Sequence, residues 1–257
     1  MTPADFLSIG SGSLVGFALG LLGGGGSILA VPLLLYVVGV GSTHIAIGTS
    51  ALAVSVNAFA NLISHSRAGN VKWPCAVVFA VSGIAGAALG AELGQRIDGA
   101  QLLFLFGLAM IGVAVAMLRP RAVAGDPSVR ITPAIAMRLV GIGLAVGLLS
   151  GFFGIGGGFL IVPGIMLGSG MAMLNAVGSS LLSVGAFGMT TAISYAFGGN
   201  IDWRVAGFFI LGGVAGGLVG VSLGGRLALR RALLNRVFAG MVFAVAAYVL
   251  WRSAAGI

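Results

Sequence analysis

Charge is what this 257-residue chain has least of: charged residues make up 7% of it, with five acidic side chains in all. Against 59% hydrophobic residues, so few charges exclude a water-soluble globular fold, whose surface the available polar groups could not cover. Cysteine is nearly absent too. Cys75 alone excludes an internal disulfide and a multi-cysteine metal site, and nothing calls for a metal or another cofactor. Histidine is limited to His44 and His65, so an intramembrane hydrolase would depend on one of these two to activate Ser50 or Ser55. The apolar runs lack the period-two alternation of barrel strands, which disfavours a β-barrel.

What the chain has in quantity is apolar sequence in segments, at 6–40, 45–64, 73–93, 102–118, 139–167, 176–197, 205–223 and 237–251. Each is roughly the length a helix needs to cross the hydrocarbon core, so the expected fold is an all-α polytopic membrane protein of about 8 to 10 helices. The first segment continues past signal-peptide length and has no basic n-region, so it is expected to stay in the mature protein. The thirteen basic residues sit in short loops, where membrane topology explains them better than nucleic acid does. One connector has linker composition. It divides the chain into a first membrane repeat at 1–118, a central loop at 119–132 and a second repeat at 133–257.

The halves repeat each other about 130 positions apart. Gly-Leu-Leu-Gly-Gly-Gly-Gly-Ser-Ile-Leu-Ala-Val-Pro, ending at Pro32, returns as Gly-Phe-Phe-Gly-Ile-Gly-Gly-Gly-Phe-Leu-Ile-Val-Pro, ending at Pro163. Ile-Gly-Thr-Ser, ending at Ser50, returns as Val-Gly-Ser-Ser, ending at Ser180, and Gly69-Asn70-Val71-Lys72-Trp73 as Gly199-Asn200-Ile201-Asp202-Trp203. The glycines at 83, 86, 90 and 94 and Arg96 recur at 213, 216, 220, 224 and Arg226. That ladder is read as helix packing, because small faces let helices approach closely.

Loop charge bears on orientation. If the first and fifth segments each cross once, eight basic residues face five; if each folds back at its glycines, ten face three. The second division is the stronger positive-inside bias, and both segments are longer than one crossing needs. The halves are therefore expected to be inverted repeats with glycine-broken or re-entrant first and fifth segments. The central loop would then be cytoplasmic and both termini outside.

Consecutive glycines are the likeliest place for a membrane helix to stop, and irregular backbone at that depth is tolerated only inside protein or beside a wet cavity. Paired breaks of this kind are how many transporters build a substrate site. The expected binding set is Gly23, Gly24, Gly25, Gly26, Ser27, Gly154, Gly156, Gly157 and Gly158, with Thr49, Ser50, Asn57, Ser179 and Ser180 from the helices that follow. Arg67, Arg96 and Arg226 are candidates for attracting or gating an anion. Span centres lack carboxylates, which disfavours a cation as substrate.

The two glycine motifs with their prolines, the Ile-Gly-Thr-Ser and Val-Gly-Ser-Ser segments, and the Gly-Asn-Val-Lys-Trp and Gly-Asn-Ile-Asp-Trp pair resemble the TauE/SafE family across residues 12–252. The resemblance implies a bacterial inner-membrane permease, not an enzyme, that moves sulfite, sulfoacetate or related sulfonates, usually outward. Its partners would be that small anion and membrane lipid, without nucleic acid; a homodimer is compatible with it. Uptake of a similar anion and a non-transporting membrane assembly factor are the alternatives.

Overall fold

A computed structural model describes residues 2–118, 125–126, 128–154, 158–226 and 231–255. The described chain is helical throughout. Its order is α1 (Pro3–Leu22), a 3-10 stretch (Gly23–Leu29), α2 (Ala30–Pro32), a π-helical stretch (Leu33–Val38), α3 (Thr43–Arg67), α4 (Trp73–Gln95) and α5 (Gly99–Leu118). Then follow α6 (Pro133–Phe153), α7 (Gly158–Ser169), α8 (Met173–Phe197), α9 (Trp203–Arg226) and α10 (Arg231–Ala255). Six helical stretches among the described residues are long and apolar enough to cross a membrane, and shorter apolar helices accompany them. Large apolar side chains such as Met137, Leu167 and Phe197 point outward, as a lipid-facing surface requires.

The repeat is visible in the backbone. Positive φ occurs only at glycines among the described residues, and these fall into repeat-matched pairs: Gly23 (69°) with Gly154 (66°), Gly39 (84°) with Gly170 (72°), and Gly69 (71°) with Gly199 (70°). At these turns a Cβ would strain the chain, which is why both copies keep glycine there.

The halves are interleaved rather than set side by side. A Cβ on Gly12, Gly16 or Gly20 of α1 would strike the carbonyls of Phe209, Gly213 and Gly217 on α9, so α1 and α9 run parallel in near backbone contact. Their counterparts α6 and α4 do the same, with Gly147 and Gly151 against the carbonyls of Gly83 and Ala87. The glycine ladders thus serve helix approach, with side chains absent where two backbones meet.

At the centre lie α3 and α8. They are the most deeply buried of the six candidate spans. They cross at repeat-equivalent residues, where the Ser55 hydroxyl donates to the Gly185 carbonyl at 2.6 Å. Gly188 lies against Ala51 and Ser55, and Gly185 against Phe59, so the crossing is antiparallel. The pair α5 and α10 is also antiparallel, since Gly107 packs on Leu250 while Ser253 donates to the Ala100 carbonyl at 3.0 Å.

Two ties fix the periphery. Arg204 at the start of α9 makes a bidentate pair with Asp5 of α1, at 3.1 Å through Nε and 2.8 Å through Nη2. In the central loop, the Asp126 N–H donates to the Gly170 carbonyl at 3.0 Å, and the Ala172 N–H returns a bond to the Asp126 carbonyl at 3.2 Å. This holds the loop against the turn between α7 and α8. Asp126 also accepts from the Ser128 N–H and hydroxyl, which lowers its carboxyl below the ordinary aspartate value.

Candidate functional site

The glycines end both leading helices, and the chain doubles back after each. At the first break Gly23 adopts φ 69°, ψ −146°, a conformation open to glycine, and the 3-10 stretch begins. Three residues later Gly26 presses on the backbone of Ala18 and Leu19, so the return strand of the hairpin packs on the helix it has just left. At the second break Gly154 takes φ 66°, ψ 20°, a left-handed cap whose N–H donates to the Gly151 carbonyl at 3.1 Å. Gly164 and Gly168 of α7 then pack on Ile142 and Leu139 of α6. Gly158 opens α7, while Gly156 and Gly157 lie outside the described residues. The breaks are alike in position and different in conformation.

Each break is met by the serine of the opposite half. Ser180 of α8 donates to its own Val177 carbonyl at 2.8 Å and accepts from the Gly24 N–H at 3.5 Å. Ser50 of α3 donates to the Ile47 carbonyl at 2.9 Å, with the Gly154 carbonyl also within 3.5 Å. Ser27 stays local, donating to the Gly24 carbonyl at 2.8 Å. Within the first break Gly25 has room where Gly23 and Gly26 do not: a Cβ there would meet nothing closer than the Leu22 Cβ at 3.9 Å.

The neighbouring hydroxyls exchange in the same way. Thr49 accepts from the Asp202 N–H at 2.9 Å, and Ser179 accepts from the Lys72 N–H at 2.9 Å. Asp202 and Lys72 immediately precede α9 and α4, so each hydroxyl holds the start of a helix in the other half. Thr49 and Ser179 are thus committed to backbone.

Along the antiparallel pair Ser50 and Ser180 lie on opposite sides of the Ser55–Gly185 crossing, roughly 15 Å apart at 1.5 Å per residue. The glycine breaks therefore flank the centre rather than meet in it. Asn57 occupies the centre, two residues past the crossing. It is fully buried, and neither its Nδ2 nor its Oδ1 has a hydrogen-bond partner. Its amide fills the place of the missing Gly213 side chain, and one turn on Asn61 does the same at Gly217.

The arginines lie apart from this set. Arg67 is exposed at the end of α3, and Arg96 is exposed and paired with Glu92 at 2.9 Å. Arg226 ends α9, and its side chain lies outside the described residues. No histidine activates a serine among the described contacts: Ser50 and Ser55 give their hydroxyls to carbonyls, and His65 donates through Nε2 to the Gly20 carbonyl at 3.2 Å.

The binding set read from the sequence omits several buried polar groups. Ser183, Thr191 and Tyr195 have no exposure and Ser150 has 1%, and the hydroxyl of each lacks a partner. Their signal is a polar side chain in an apolar helix: Ser183 and Ser150 face apolar Ala53 and Leu19 at the equivalent positions, while Thr191 and Tyr195 face Asn61 and His65.

A sequence model described as Sulfite exporter TauE/SafE matches residues 8–249. This chain belongs to the TauE/SafE family. A probable membrane transporter protein of Xylella fastidiosa strain Temecula1 is 56% identical to this TauE/SafE chain, over 96% of it and 95% of the relative. YunE of Bacillus subtilis, also named a probable membrane transporter protein, is 27% identical over 82% of this chain and 85% of its own. One from Methanocaldococcus jannaschii is 28% identical over 75% and 71%. No solved structure matches. The TauE/SafE chain is a membrane transporter with multiple apolar helices.

Proposed function

We propose that this TauE/SafE protein is a secondary transporter that exports a small organosulfur anion, such as sulfite, sulfoacetate or a related sulfonate, across a bacterial inner membrane. The observation that carries this reading is the exchange between halves: each glycine break is held by a serine of the other half, so opening one break is felt across the molecule. Coupled breaks on opposite sides of a central polar position suit alternating access, with the substrate between them. Ser27, Ser50, Ser180, Asn57 and the glycines at 23–26, 154 and 156–158 furnish the route. Thr49 and Ser179 position it, and Arg67, Arg96 and Arg226 attract the anion at its mouths.

In the same reading the halves are inverted, with the central loop cytoplasmic and both termini outside. Support comes from the antiparallel packing of repeat-equivalent helices, α3 with α8 and α5 with α10, because a two-fold relating antiparallel spans lies in the membrane plane. Outward movement needs no coupling ion: an inside-negative potential favours exit of an anion by about 2.3 kcal/mol per charge per 100 mV.

Purified protein in liposomes, loaded in turn with sulfite, sulfoacetate and sulfate, tests the reading at several imposed potentials. Efflux of a sulfur anion that rises with inside-negative potential is expected. Absence of flux for all three would defeat it, and flux only against that potential would reassign the protein to uptake.

A further inference from the structure

The two halves offer the same seat at the centre and fill it differently. On α9, Gly213 lacks a side chain because the Asn57 amide occupies the space. On α4, the repeat-equivalent Gly83 lacks one because the Phe187 ring occupies it, and that ring stacks on Phe79 at 6.2 Å between centroids. Asn57 and Phe187 are themselves repeat equivalents. One seat is closed by apolar packing that needs nothing further. The other is closed by an amide with two buried polar atoms and no partner for either.

Such a group is costly, since a buried polar atom without a partner has given up its bonds to water and gained none in return. The scaffold had an apolar solution available, because the other half uses one. We propose, building on the transport reading above, that the chain has a single anion seat, located in the seam of α3, α9 and α1 at Asn57, and that it takes a singly protonated oxyanion of the hydrogen sulfite type.

The chemistry follows from the donor and acceptor count. An amide offers an N–H donor and a carbonyl acceptor side by side. A group carrying both O⁻ and O–H on one central atom satisfies both at once, O⁻ accepting from Nδ2–H and O–H donating to Oδ1. A fully deprotonated oxyanion leaves the carbonyl facing negative charge. Neutrality points the same way: among the described residues no lysine or arginine is buried, and the Born cost of dehydrating an ion rises with the square of its charge.

The experiment pairs two readouts on wild type and Asn57→Leu, an apolar residue of similar shape. Flux from liposomes is measured for sulfite at a pH where hydrogen sulfite prevails, for methanesulfonate and for sulfate, with protein-free vesicles subtracted. Thermal unfolding in detergent is measured with and without the same anions. Wild type is expected to move hydrogen sulfite faster than methanesulfonate and far faster than sulfate, and to be stabilised by hydrogen sulfite. Asn57→Leu is expected to lose hydrogen sulfite flux by about tenfold or more and its ligand shift entirely, while unfolding at a higher temperature than wild type without ligand. Full flux in the variant, a variant that is less stable or does not fold, or sulfate moved as well as hydrogen sulfite would each overturn the seat. Wild type that shows the thermal shift without flux would defeat the transport reading and leave the seat standing; wild type without the shift overturns the seat.

Discussion

The seam between α8 and α4 and the seam between α3 and α9 are the same construction used for opposite ends. In the first, Phe187 lies on Gly83 and stacks on Phe79. In the second, Asn57 lies on Gly213 and Asn61 on Gly217, two amides in succession where the other half has Phe187 and Thr191. Both halves keep the glycines, because a Cβ at either would collide with what is seated there. Duplication therefore preserved the backbone approach and freed the seated residue to diverge. One seam seats an aromatic ring where the other seats an amide, so the halves are alike in architecture and unequal in chemistry.

Substitutions at the breaks have the largest expected effects. Gly26→Leu drives a side chain into the backbone of Ala18 and Leu19, and no folded protein is expected by detergent size-exclusion chromatography. Gly25→Leu meets open space one residue earlier, so normal insertion and a loss of efflux of about tenfold or more are expected. Unchanged efflux would show that the first break is a packing device only. The seams come next. Phe187→Ala empties a fully buried aromatic site and is expected to cost about 3–5 kcal/mol in unfolding free energy. If Phe187→Ala were as mild as a surface substitution, the contrast between the aromatic and the amide seam would fail.

The Asp5–Arg204 pair joins the two halves and has no repeat-related counterpart, since Pro74 stands at the repeat equivalent of Arg204. Arg204→Ala removes the arginine from Asp5 and leaves that carboxylate only the Thr2 N–H, so a lower unfolding temperature in detergent is expected. Asp5→Asn leaves only an exposed arginine, and a smaller loss is expected by the same thermal unfolding measurement. The smallest effects lie at the exchanged serines. Ser50→Ala and Ser180→Ala each remove one long contact to the opposite break and are expected to cost about 1 kcal/mol or less. The coupling proposed between the breaks predicts that the double variant departs from additivity in efflux; additive losses would show that each break moves on its own.

Much of this architecture is legible in the residues themselves. Four nearly consecutive glycines can hardly continue a membrane helix, so the ends of α1 at Leu22 and α6 at Phe153 follow from local backbone preference. The ladder of glycines on α4 and α9 likewise announces close packing, although its partners, α6 and α1, lie in the opposite halves and no local pattern names them. Thr49, Ser50, Ser179 and Ser180 stand out as matched hydroxyls, but their partners across the halves exist only once α3 has crossed α8. That crossing also decides why the breaks stand on opposite sides of the centre. Asn57 was legible as a polar residue in an apolar span; that its amide is seated on Gly213, where Phe187 is seated on Gly83, depends on tertiary contact.

Orientation of the two halves is the claim on which the rest stands, and cysteine accessibility tests it most directly. With Cys75 replaced by alanine, Ser128→Cys in the central loop and Ser253→Cys near the end of α10 are labelled in intact cells by a membrane-impermeant maleimide. Labelling of Ser253→Cys from outside, with Ser128→Cys reached only after the membrane is opened, is expected for inverted halves. Labelling of both from the same face would contradict it.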